Sequence, residues 1–476
     1  MTASGTDLLP PPRVPASTSD DLAWPGIFNR HGAAVASLLQ QIEASQWWSP
    51  EDLRRHQLLQ IQRLLAHARA HVPFYRNRLA AADPAAESGG TLTPEIWSAI
   101  PLLTRAEIQA AGERLFSHRI PQAHGEARPI SSSGSTGRPV TVMVTNVQQL
   151  FWQVFTVRDH VWQRRDLSGT QAVIRSFADG KAEYPDGDRS ANWGRGIAGL
   201  YRTGPSVNLA ITATVEQQAE WLERVRPTYL LTLPSVAAEL AAHFRSSGRR
   251  LPSLRQVRTM AEPADHTLRD LCREAWGVGV ADMYSAQETG YIALQCPEHE
   301  HLHVQAEGAL VEVLDDDLRP CGPGQVGRVV VTPLHNFATP LIRYEVGDFA
   351  EVGDACPCGR GLPVLRRILG RVRNMCTLPD GGRVWPRLTE VRYTEIAPIR
   401  QFQVVQTEPA VLEVRLVATR GLTADEEDRL RDLINGRIGA TFDIVFRYPD
   451  AIPRGPSGKY EEFRSDLPPG HMAGGR

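Results

Sequence analysis

Apolar and polar residues follow two rhythms along the chain, and each rhythm predicts one kind of element. Over residues 49–82, apolar side chains recur at three- and four-residue steps, which is the spacing of one helix face. From about residue 129 onward, short apolar runs at 171–174 and 229–233 alternate with amphipathic stretches at 215–226 and 235–245. Such alternation is typical of layered α/β structure.

The pattern changes again in the last third of the chain. Residues 308–353 have the character of strands and turns, as in the segment Gly327-Arg-Val-Val-Val-Thr332. The run Leu378-Pro-Asp-Gly-Gly382 then marks a break, because proline and glycine interrupt regular structure. Beyond it the pattern predicts strands at 402–405, 412–417 and 443–446 and a helix at 423–438.

These patterns predict the α/β fold class with two domains. We expect a large N-terminal domain, made of α/β sheets plus a β-rich subdomain, and a small α+β C-terminal domain. The predicted bounds are 1–25 for a flexible tail, 26–370 for the large domain and 371–476 for the C-terminal domain. A length of 476 residues agrees with more than one hydrophobic core.

Composition and charge exclude several classes of function. The net charge is −2, with no polybasic run and no acidic tail, so neither a nucleic acid nor a membrane is an expected partner. No apolar stretch approaches the roughly 18 residues of a membrane span, and the N-terminus lacks the pattern of a signal peptide. We therefore expect a cytoplasmic protein whose six cysteines are thiols or metal ligands.

Two lysines, Lys181 and Lys459, stand among 52 cationic side chains. Arginine replaces lysine well as a solvated surface charge, but badly where a compact ammonium must reach a single oxygen. Lys459 closes the run Pro453-Arg-Gly-Pro-Ser-Gly-Lys459 and is therefore a candidate for chemistry. Chance survival of a lysine at a tail position is an equally good explanation of this observation alone.

The segment Ser131-Ser-Ser-Gly-Ser-Thr-Gly-Arg-Pro139 is a Ser/Thr/Gly loop that precedes a predicted strand at 140–144. Glycines expose backbone N–H groups, and hydroxyls and an arginine add further donors for phosphate oxygens. The loop lacks the Gly-Lys-Ser/Thr ending of a Walker loop. Taken alone, it predicts a plain hairpin more often than a phosphate site.

The loop does not stand alone, because it and six or more further motifs resemble, in the correct order, those of the adenylate-forming superfamily. The likeness is greatest to its phenylacetate–CoA ligase branch and covers about residues 50–465. The motifs around the loop are Pro73-Phe-Tyr-Arg76, Ile100-Pro-Leu-Leu-Thr-Arg105, Ala261-Glu-Pro263, Tyr284-Ser-Ala-Gln-Glu288, Pro340-Leu-Ile-Arg-Tyr-Glu-Val-Gly-Asp348, Cys356-Pro-Cys-Gly-Arg360, Gly370-Arg371 and Pro456-Ser-Gly-Lys459.

The resemblance implies an enzyme, an AMP-forming carboxylate–CoA ligase. A small organic acid, expected to be aromatic, would attack the α-phosphate of ATP to give an acyl-adenylate and pyrophosphate. A thiol, that of coenzyme A, would then displace AMP to give a thioester. Such chemistry requires that crowded negative charge be neutralised and that the carboxylate be held in line with phosphorus.

The resemblance also implies that the large domain, 26–370, is multi-layered and binds AMP, and that the small C-terminal domain, 371–476, is a mobile lid. It assigns site residues as well. Asp348 would bind both ribose hydroxyls, and Arg371 would lie near the ribose at the domain junction. The phosphates would be wrapped by Ser132, Ser133, Gly134, Ser135, Thr136, Gly137 and Arg138, and the adenine would be lined by Ala261, Glu262, Pro263, Tyr284 and Ser285.

Two residues are implied to be catalytic. Lys459, on a loop of the small domain, would reach the attacking carboxylate and the bridging oxygen, and Glu288 would hold a Mg²⁺ ion. The chain departs from the family pattern at three places. Arg138 stands where lysine is usual, Ser285 where glycine is usual, and the hinge reads Gly370-Arg-Val-Arg-Asn374 instead of Gly-Arg with paired aspartates. The hinge departure bears on the second half-reaction more than on the first.

A metal site is predicted from cysteine and histidine spacing. Cys356 and Cys358 lie on a tight turn, and Cys296 precedes a histidine-rich run that ends at His303. Three thiolates and one imidazole suit a closed, structural zinc site, and some relatives carry zinc at the matching positions. His299 and His301 are competing ligands, and unpaired cytosolic thiols with scattered histidines are the alternative.

Several alternatives remain open at this stage. The adenylate could pass to a carrier-protein thiol or to an amine, or the chain could be a catalytically silent nucleotide-binding relative. A metal-dependent hydrolase built on the cysteine–histidine cluster is disfavoured by its closed ligand set. The acid substrate cannot be named from the sequence. The oligomeric state is equally open, and homodimers are common in this branch. Candidate pocket residues, each more often part of a core, are Trp152, Phe155, Asn192, Trp193 and Tyr201.

Overall fold

The computed structural model describes residues 13–19, 22, 24–79, 92–132, 139–386, 388, 393–455 and 458–467. The α-helices of these ranges are α1 (Arg30–Ser45), α2 (Pro50–His71), α3 (Tyr75–Arg78), α4 (Pro94–Ser98), α5 (Arg105–Ala111), α6 (Asn146–Trp162), α7 (Arg195–Ala198), α8 (Val215–Val225), α9 (Pro234–Ser247), α10 (His266–Trp276) and α11 (Ala424–Ile438). Short 3₁₀ helices lie at Gly112–Leu115, Gln122–His124, Val372–Asn374 and Tyr393–Glu395.

Twenty strands accompany these helices in the described ranges. Those of the large domain are β1 (Ala127–Ser131), β2 (Thr141–Thr145), β3 (Gln171–Arg175), β4 (Asp188–Ser190), β5 (Ser206–Ala210), β6 (Tyr229–Thr232), β7 (Gln256–Met260), β8 (Gly279–Ala286), β9 (Gly290–Gln295), β10 (Leu302–Val304), β11 (Ala309–Leu314), β12 (Val326–Pro333), β13 (Tyr344–Val352) and β14 (Val364–Arg371). Those that follow are β15 (Cys376–Thr377), β16 (Arg383–Val384), β17 (Ile399–Glu408), β18 (Val411–Ala418), β19 (Asp443–Arg447) and β20 (Phe463–Ser465).

The helix predicted over 49–82 is shorter than its apolar pattern. The Ser49 side chain accepts a hydrogen bond from the Asp52 N–H, and α2 then runs from Pro50 to His71. It ends there because Pro73 follows and disfavours helical backbone at the residue before it. The helix face formed by Ile61, Leu64, Leu65 and Ala68 is fully buried, and each leucine or isoleucine contributes about 1.5–3 kcal/mol by leaving water.

A twelve-stranded sheet organises the large domain, and one half of it is mostly parallel. Strands β5, β3, β6, β7 and β8 pair in parallel, while β4 lies antiparallel at the edge. The amphipathic stretches predicted at 215–226 and 235–245 form α8 and α9, which connect strands of this half. The predicted α/β layering is therefore confirmed here.

The other half of the sheet is antiparallel, in the spatial order β9, β10, β14, β13, β12, β11. This half contains the strand-and-turn region predicted over 308–353. It is tied to the N-terminal helices by Tyr75, whose hydroxyl donates to the Pro340 carbonyl (2.9 Å) and accepts from the Ile342 N–H (3.1 Å). Two motifs distant in sequence therefore meet at one buried side chain.

A second, smaller core lies in the C-terminal part of the chain. Strands β19, β18, β17 and β20 form a four-stranded mixed sheet, and α11 contributes Leu430, Ile434 and Ile438 to its core. Three of these strands and the helix were predicted, and β20 was not. The predicted fold class, a large α/β domain with a small α+β domain, is confirmed, while the boundary at 370 stays a prediction.

The described residues before α1 contact the large domain. The Ala16 N–H donates to the Leu200 carbonyl, and the Arg202 N–H donates to the Val14 carbonyl. Residues 1–12 of the predicted tail lie outside the described residues. Among the described helices, none combines the length and apolar character that crossing a membrane requires.

Candidate active site

Two neighbouring strands and the end of a third form the first part of the site. Asp348 of β13 pairs with Arg371 at the end of β14, and the Arg371 Nε lies 3.5 Å from an Asp348 carboxylate oxygen. The Tyr284 hydroxyl, from β8, donates to the other oxygen at 2.9 Å. Burial raises the pKa of Tyr284, and the Asp348 charge raises it further. Asp348 is thus held in place by a neutral phenol and a guanidinium.

Glu288 lies in the turn between β8 and β9 and is only 7% exposed. It accepts a hydrogen bond from the Tyr344 hydroxyl (3.1 Å), and the Arg105 Nη1 lies 3.8 Å from the same carboxylate oxygen. Burial raises the pKa of Tyr344, and the charge of Glu288 adds to the effect, so the phenol remains a donor. A carboxylate oxygen is also the kind of ligand that Mg²⁺ takes together with substrate phosphates.

Arg105 connects Glu288 to the base of the Ser/Thr/Gly loop. Its Nη2 donates to the Ser132 hydroxyl at 3.0 Å, and Ser132 also accepts from the Val140 N–H at 3.0 Å. Helix α5 begins at Arg105 because Thr104 and Glu107 form a capping box. Of the predicted phosphate-binding residues, Ser132 is described, whereas Ser133, Gly134, Ser135, Thr136, Gly137 and Arg138 lie outside the described residues.

Lys459 is carried on a tight turn of the small domain. The Gly455 N–H donates to the Lys459 carbonyl (3.0 Å), and the Gly458 N–H donates to the Gly455 carbonyl (2.8 Å). Gly458 has a φ of +77°, which favours glycine, and a Cβ there would lie 3.4 Å from Ile211. The turn therefore packs against the large domain just past the end of β5.

The ammonium of Lys459 lies among charged groups of both signs. Burial and the neighbouring Arg371 lower the pKa of Lys459, while Asp348, Glu262 and Glu288 oppose that shift. Three carboxylates that the sequence placed far apart are therefore within electrostatic range of one ammonium. A bound phosphate compound together with a metal ion could have its charge neutralised among these groups.

The predicted adenine segment has a contact of a different kind. One carboxylate oxygen of Glu262 accepts from the Ser235 N–H (3.0 Å) and the other accepts from the Tyr460 N–H (2.6 Å). Ala261 has a φ of +73°, a strained value for a side chain with a Cβ. Pro263 lies beside the hinge, since a Cβ on Gly370 would be 3.8 Å from its ring. Roles for Ala261, Glu262, Pro263 and the half-buried Ser285 at adenine stay predictions.

The hinge after Gly370 uses asparagine in place of aspartate. The Asn374 side chain accepts from the Arg371 N–H (3.1 Å) and donates to the Phe463 carbonyl of β20 (2.7 Å). Arg373 also forms an ion pair with Glu461 of the small domain. An amide can donate and accept at once, which a carboxylate cannot, so this hinge contact differs in kind from an aspartate contact.

The predicted zinc ligands come together at the end of the antiparallel half-sheet that lies away from Asp348 and Arg371. One ligand atom from each of Cys296, His303, Cys356 and Cys358 lies within 4.8 Å of the others. The His303 Nε2 lies 3.4 Å from the Cys358 sulfur, and its Nδ1 lies 3.3 Å from the Leu362 carbonyl. A carbonyl at Nδ1 leaves Nε2 free to bind a metal, so the donor set fits zinc.

Other predicted candidates occupy ordinary positions. Cys272 and Cys376 are buried and Cys321 is half-buried, all outside the four-residue cluster. His299 and His301 stack on one another and do not join that cluster. Among the suggested pocket residues, Phe155 and Trp193 belong to a hydrophobic core, while Trp152 and Tyr201 are half-buried and pack against it.

Sequence reasoning assigned no role to Arg105, Tyr344 and Arg454. Arg105 and Tyr344 lie inside motifs of the resemblance, and that position alone could have indicated a functional role. Arg454 stands in the lysine-containing run, and its guanidinium donates to the Ser235 hydroxyl (2.6 Å) and to Glu239 (2.9 Å) across the domain junction. No local pattern announces a contact between domains.

Two family models match the chain. A model described as AMP-binding enzyme matches residues 54–337, and a model described as CapK C-terminal domain matches residues 378–465. A phenylacetate-coenzyme A ligase of Thermus thermophilus is 28% identical over 451 residues, which cover 86% of this chain and 95% of that protein.

Solved structures show the same fold. A 2-hydroxyisobutyryl-CoA ligase in its postadenylation state has a TM-score of 0.66 at 20% identity, covering 87% of this chain and 89% of that chain. The same ligase in its thioesterification state covers equal shares and has a TM-score of 0.54 at 20% identity.

Proposed function

The chain belongs to the AMP-binding enzyme family, on its phenylacetate–CoA ligase-like branch, and on that premise we propose that it is an AMP-forming ligase for a small organic acid. A carboxylate attacks the α-phosphate of ATP, the bond between the α- and β-phosphates breaks, and an acyl-adenylate and pyrophosphate result. The thiol of coenzyme A then attacks the acyl carbon and AMP leaves. The ligase relative and the matched family support both steps.

The position of Lys459 is the observation that carries this proposal. Its ammonium, supplied by the small domain, lies within the electrostatic range of Asp348 and Glu288 of the large domain. In the proposed reaction it neutralises charge on the carboxylate and on the oxygen that joins the acid to phosphorus. An ammonium that reaches one oxygen on a flexible stem suits this role better than a planar guanidinium does.

The large domain supplies groups for the rest of the nucleotide. Asp348 accepts hydrogen bonds from both ribose hydroxyls, with Tyr284 and Arg371 holding its carboxylate. Glu288 is the group that would hold Mg²⁺, whose charge would offset that of the phosphates. Arg105 adds a fixed cation between Glu288 and Ser132, where the loop of residues 133–138 begins.

The acid and the acceptor follow from the relatives rather than from a visible pocket. The first of these relatives is a phenylacetate-coenzyme A ligase, which supports an aromatic acid and coenzyme A. A carrier-protein thiol or an amine is the alternative acceptor. We also propose that Cys296, His303, Cys356 and Cys358 hold a structural zinc ion, since all four positions are protein ligands and none is left for chemistry.

Acid-dependent exchange of labelled pyrophosphate into ATP tests the first step. Across a panel of carboxylic acids that includes phenylacetate, at least one acid should support exchange by the wild-type chain. Lys459→Ala should reduce exchange by about 10²–10³-fold, the effect of removing one preorganised charge stabiliser. The matched control is Lys181→Ala, since Lys181 is the other lysine and is exposed. Full exchange by Lys459→Ala would overturn the proposal.

Coenzyme A distinguishes the acceptors. Addition of coenzyme A to enzyme, ATP and the active acid should produce a thioester and AMP in equal amounts. Adenylate that accumulates with coenzyme A present, and thioester that forms only on a carrier protein, would assign the alternative acceptor.

A further inference from the structure

A contact between the two domains surrounds the lysine turn and is made by Ser235, Glu239, Glu262, Arg454 and Tyr460; we call it the lid contact. We propose that Glu262 is a positioning residue for Lys459, and that the lid contact holds the small domain in the arrangement that makes the adenylate. The expected effect on catalysis rests on the proposed function, whereas the expected effect on the domain contact does not.

Glu262 connects one fixed group to one movable group. The Ser235 N–H that it accepts belongs to the first turn of α9, where the helix leaves N–H groups without helical partners. The Tyr460 N–H that it accepts belongs to the residue directly after Lys459. The carboxylate therefore fixes the backbone next to the catalytic ammonium relative to a helix of the large domain.

Arg454 fixes the other end of the same turn. Its two terminal nitrogens donate to the Ser235 hydroxyl and to Glu239, and its guanidinium lies 5.4 Å from the centre of the Tyr460 ring. Ser235 is thus contacted from both sides, by Glu262 through its N–H and by Arg454 through its hydroxyl. Residues 454 and 460 bracket Lys459, so both ends of its turn are anchored to α9.

The lid contact also contains an opposing force. Glu462 is surrounded by the carboxylates of Asp265, Glu262 and Glu239, and its Oε2 is buried without a hydrogen-bond partner among the described residues. Closure therefore brings the Glu462 carboxylate near three others, of which Glu239 and Glu262 also interact with Arg454. The hydrogen bonds of the lid contact favour closure and the repulsion among the carboxylates opposes it, which suits a domain that must leave after one step.

Amide hydrogen exchange measured by mass spectrometry tests the structural part without any substrate. In the full wild-type chain, the peptide that contains Tyr460 should be protected. Glu262→Gln should speed its exchange by roughly tenfold or more, since one charge-assisted hydrogen bond is lost. Glu223→Gln, which breaks the Glu223–Arg249 ion pair elsewhere in the large domain, is the control and should leave the peptide unchanged. Equal protection in Glu262→Gln and wild type would overturn the proposal.

Separate half-reactions test the chemical part. Glu262→Gln should lower pyrophosphate exchange by roughly tenfold or more, and should leave thioester formation from a synthetic acyl-adenylate and coenzyme A at the wild-type rate. A variant that loses both half-reactions equally, or neither, would contradict a positioning role.

A second variant guards against a folding defect in Glu262→Gln. Arg454→Gln changes a partly exposed residue of the small domain and should reproduce the same split between half-reactions, with a smaller effect. Arg454→Lys should recover part of the loss, because one of the two contacts can be remade. If the wild-type chain shows neither half-reaction with any acid, the proposed function fails, while hydrogen exchange still decides the lid contact.

Discussion

The cysteine–histidine cluster and the lysine site are both assembled from distant parts of the chain, but they differ in how they are closed. All four ligands of the cluster belong to the large domain, between residues 296 and 358. The lysine site takes its ammonium from the small domain and its carboxylates from the large one. Ligands from one domain suit a permanent crosslink, whereas an ammonium from the other domain suits a group that must approach the site and then leave it. The difference lies in domain membership, not in the residue types.

The largest expected effect is on the closed site. Cys356→Ser should release zinc and lower the free energy of unfolding by about 4 kcal/mol or more, because loss of a structural metal is among the most damaging single changes. Metal content and thermal denaturation measure this. Cys321→Ser, a half-buried cysteine outside the cluster, should change neither. Purified wild-type protein without bound metal would remove the contrast between the two regions.

The next largest effect is expected at the nucleotide side of the lysine site. Arg105→Ala should lower pyrophosphate exchange by roughly 100-fold, because it removes a fixed cation between Glu288 and the phosphate loop. Arg105→Lys should retain part of the activity. Arg128→Ala, an exposed arginine on β1, is the control. Wild-type exchange by Arg105→Ala would restrict Arg105 to a structural role.

A smaller effect is expected at the ribose group. Asp348→Asn should raise the KM for ATP by about tenfold with little change in kcat, because hydrogen bonds to a charged group contribute about 1.5–3 kcal/mol. Steady-state kinetics with varied ATP and saturating acid measure this. Tyr284→Phe should give a milder change in the same direction, since it removes one donor to Asp348. A change in kcat alone would place Asp348 in the chemical step instead.

The smallest effect is expected from pH at the movable site. Burial raises the pKa of Glu462 in the closed arrangement, and the neighbouring carboxylates of Asp265, Glu262 and Glu239 raise it further. A raised carboxyl pKa favours the protonated form, so Glu462 permits closure best below the ordinary carboxyl pKa and opposes closure increasingly as pH rises toward the raised value. Hydrogen exchange of the Tyr460 peptide should therefore grow with pH beyond the intrinsic chemical dependence.

A matched substitution sharpens the pH prediction. Glu462→Gln should flatten this excess, because it removes the buried charge that the neighbouring carboxylates repel. An excess of exchange that is identical in the variant would contradict the assignment.

Local patterns were sufficient where neighbours along the chain decide the structure. The runs predicted at 171–174 and 229–233 form β3 and β6, because short continuous apolar runs suit parallel strands buried on both faces. The stretch at 423–438 forms α11, because its spacing places apolar residues on one face. The same reasoning extended α2 past its end, since the apolar period continued while Pro73 stopped the helix. It missed β20, a three-residue strand that depends on pairing with β17.

The sequence by itself determined the order of the motifs, the two-domain fold class and the residue types that carry the chemistry, because these depend on composition and short spacings. Tertiary structure alone decided that Glu262 contacts the backbone beside Lys459, that Arg105 joins Ser132 to Glu288, and that His303 rather than His301 faces the cysteines. Such contacts join residues that are tens or hundreds of positions apart. They depend on the packing of whole layers and on the orientation of one domain against another, which no local pattern encodes.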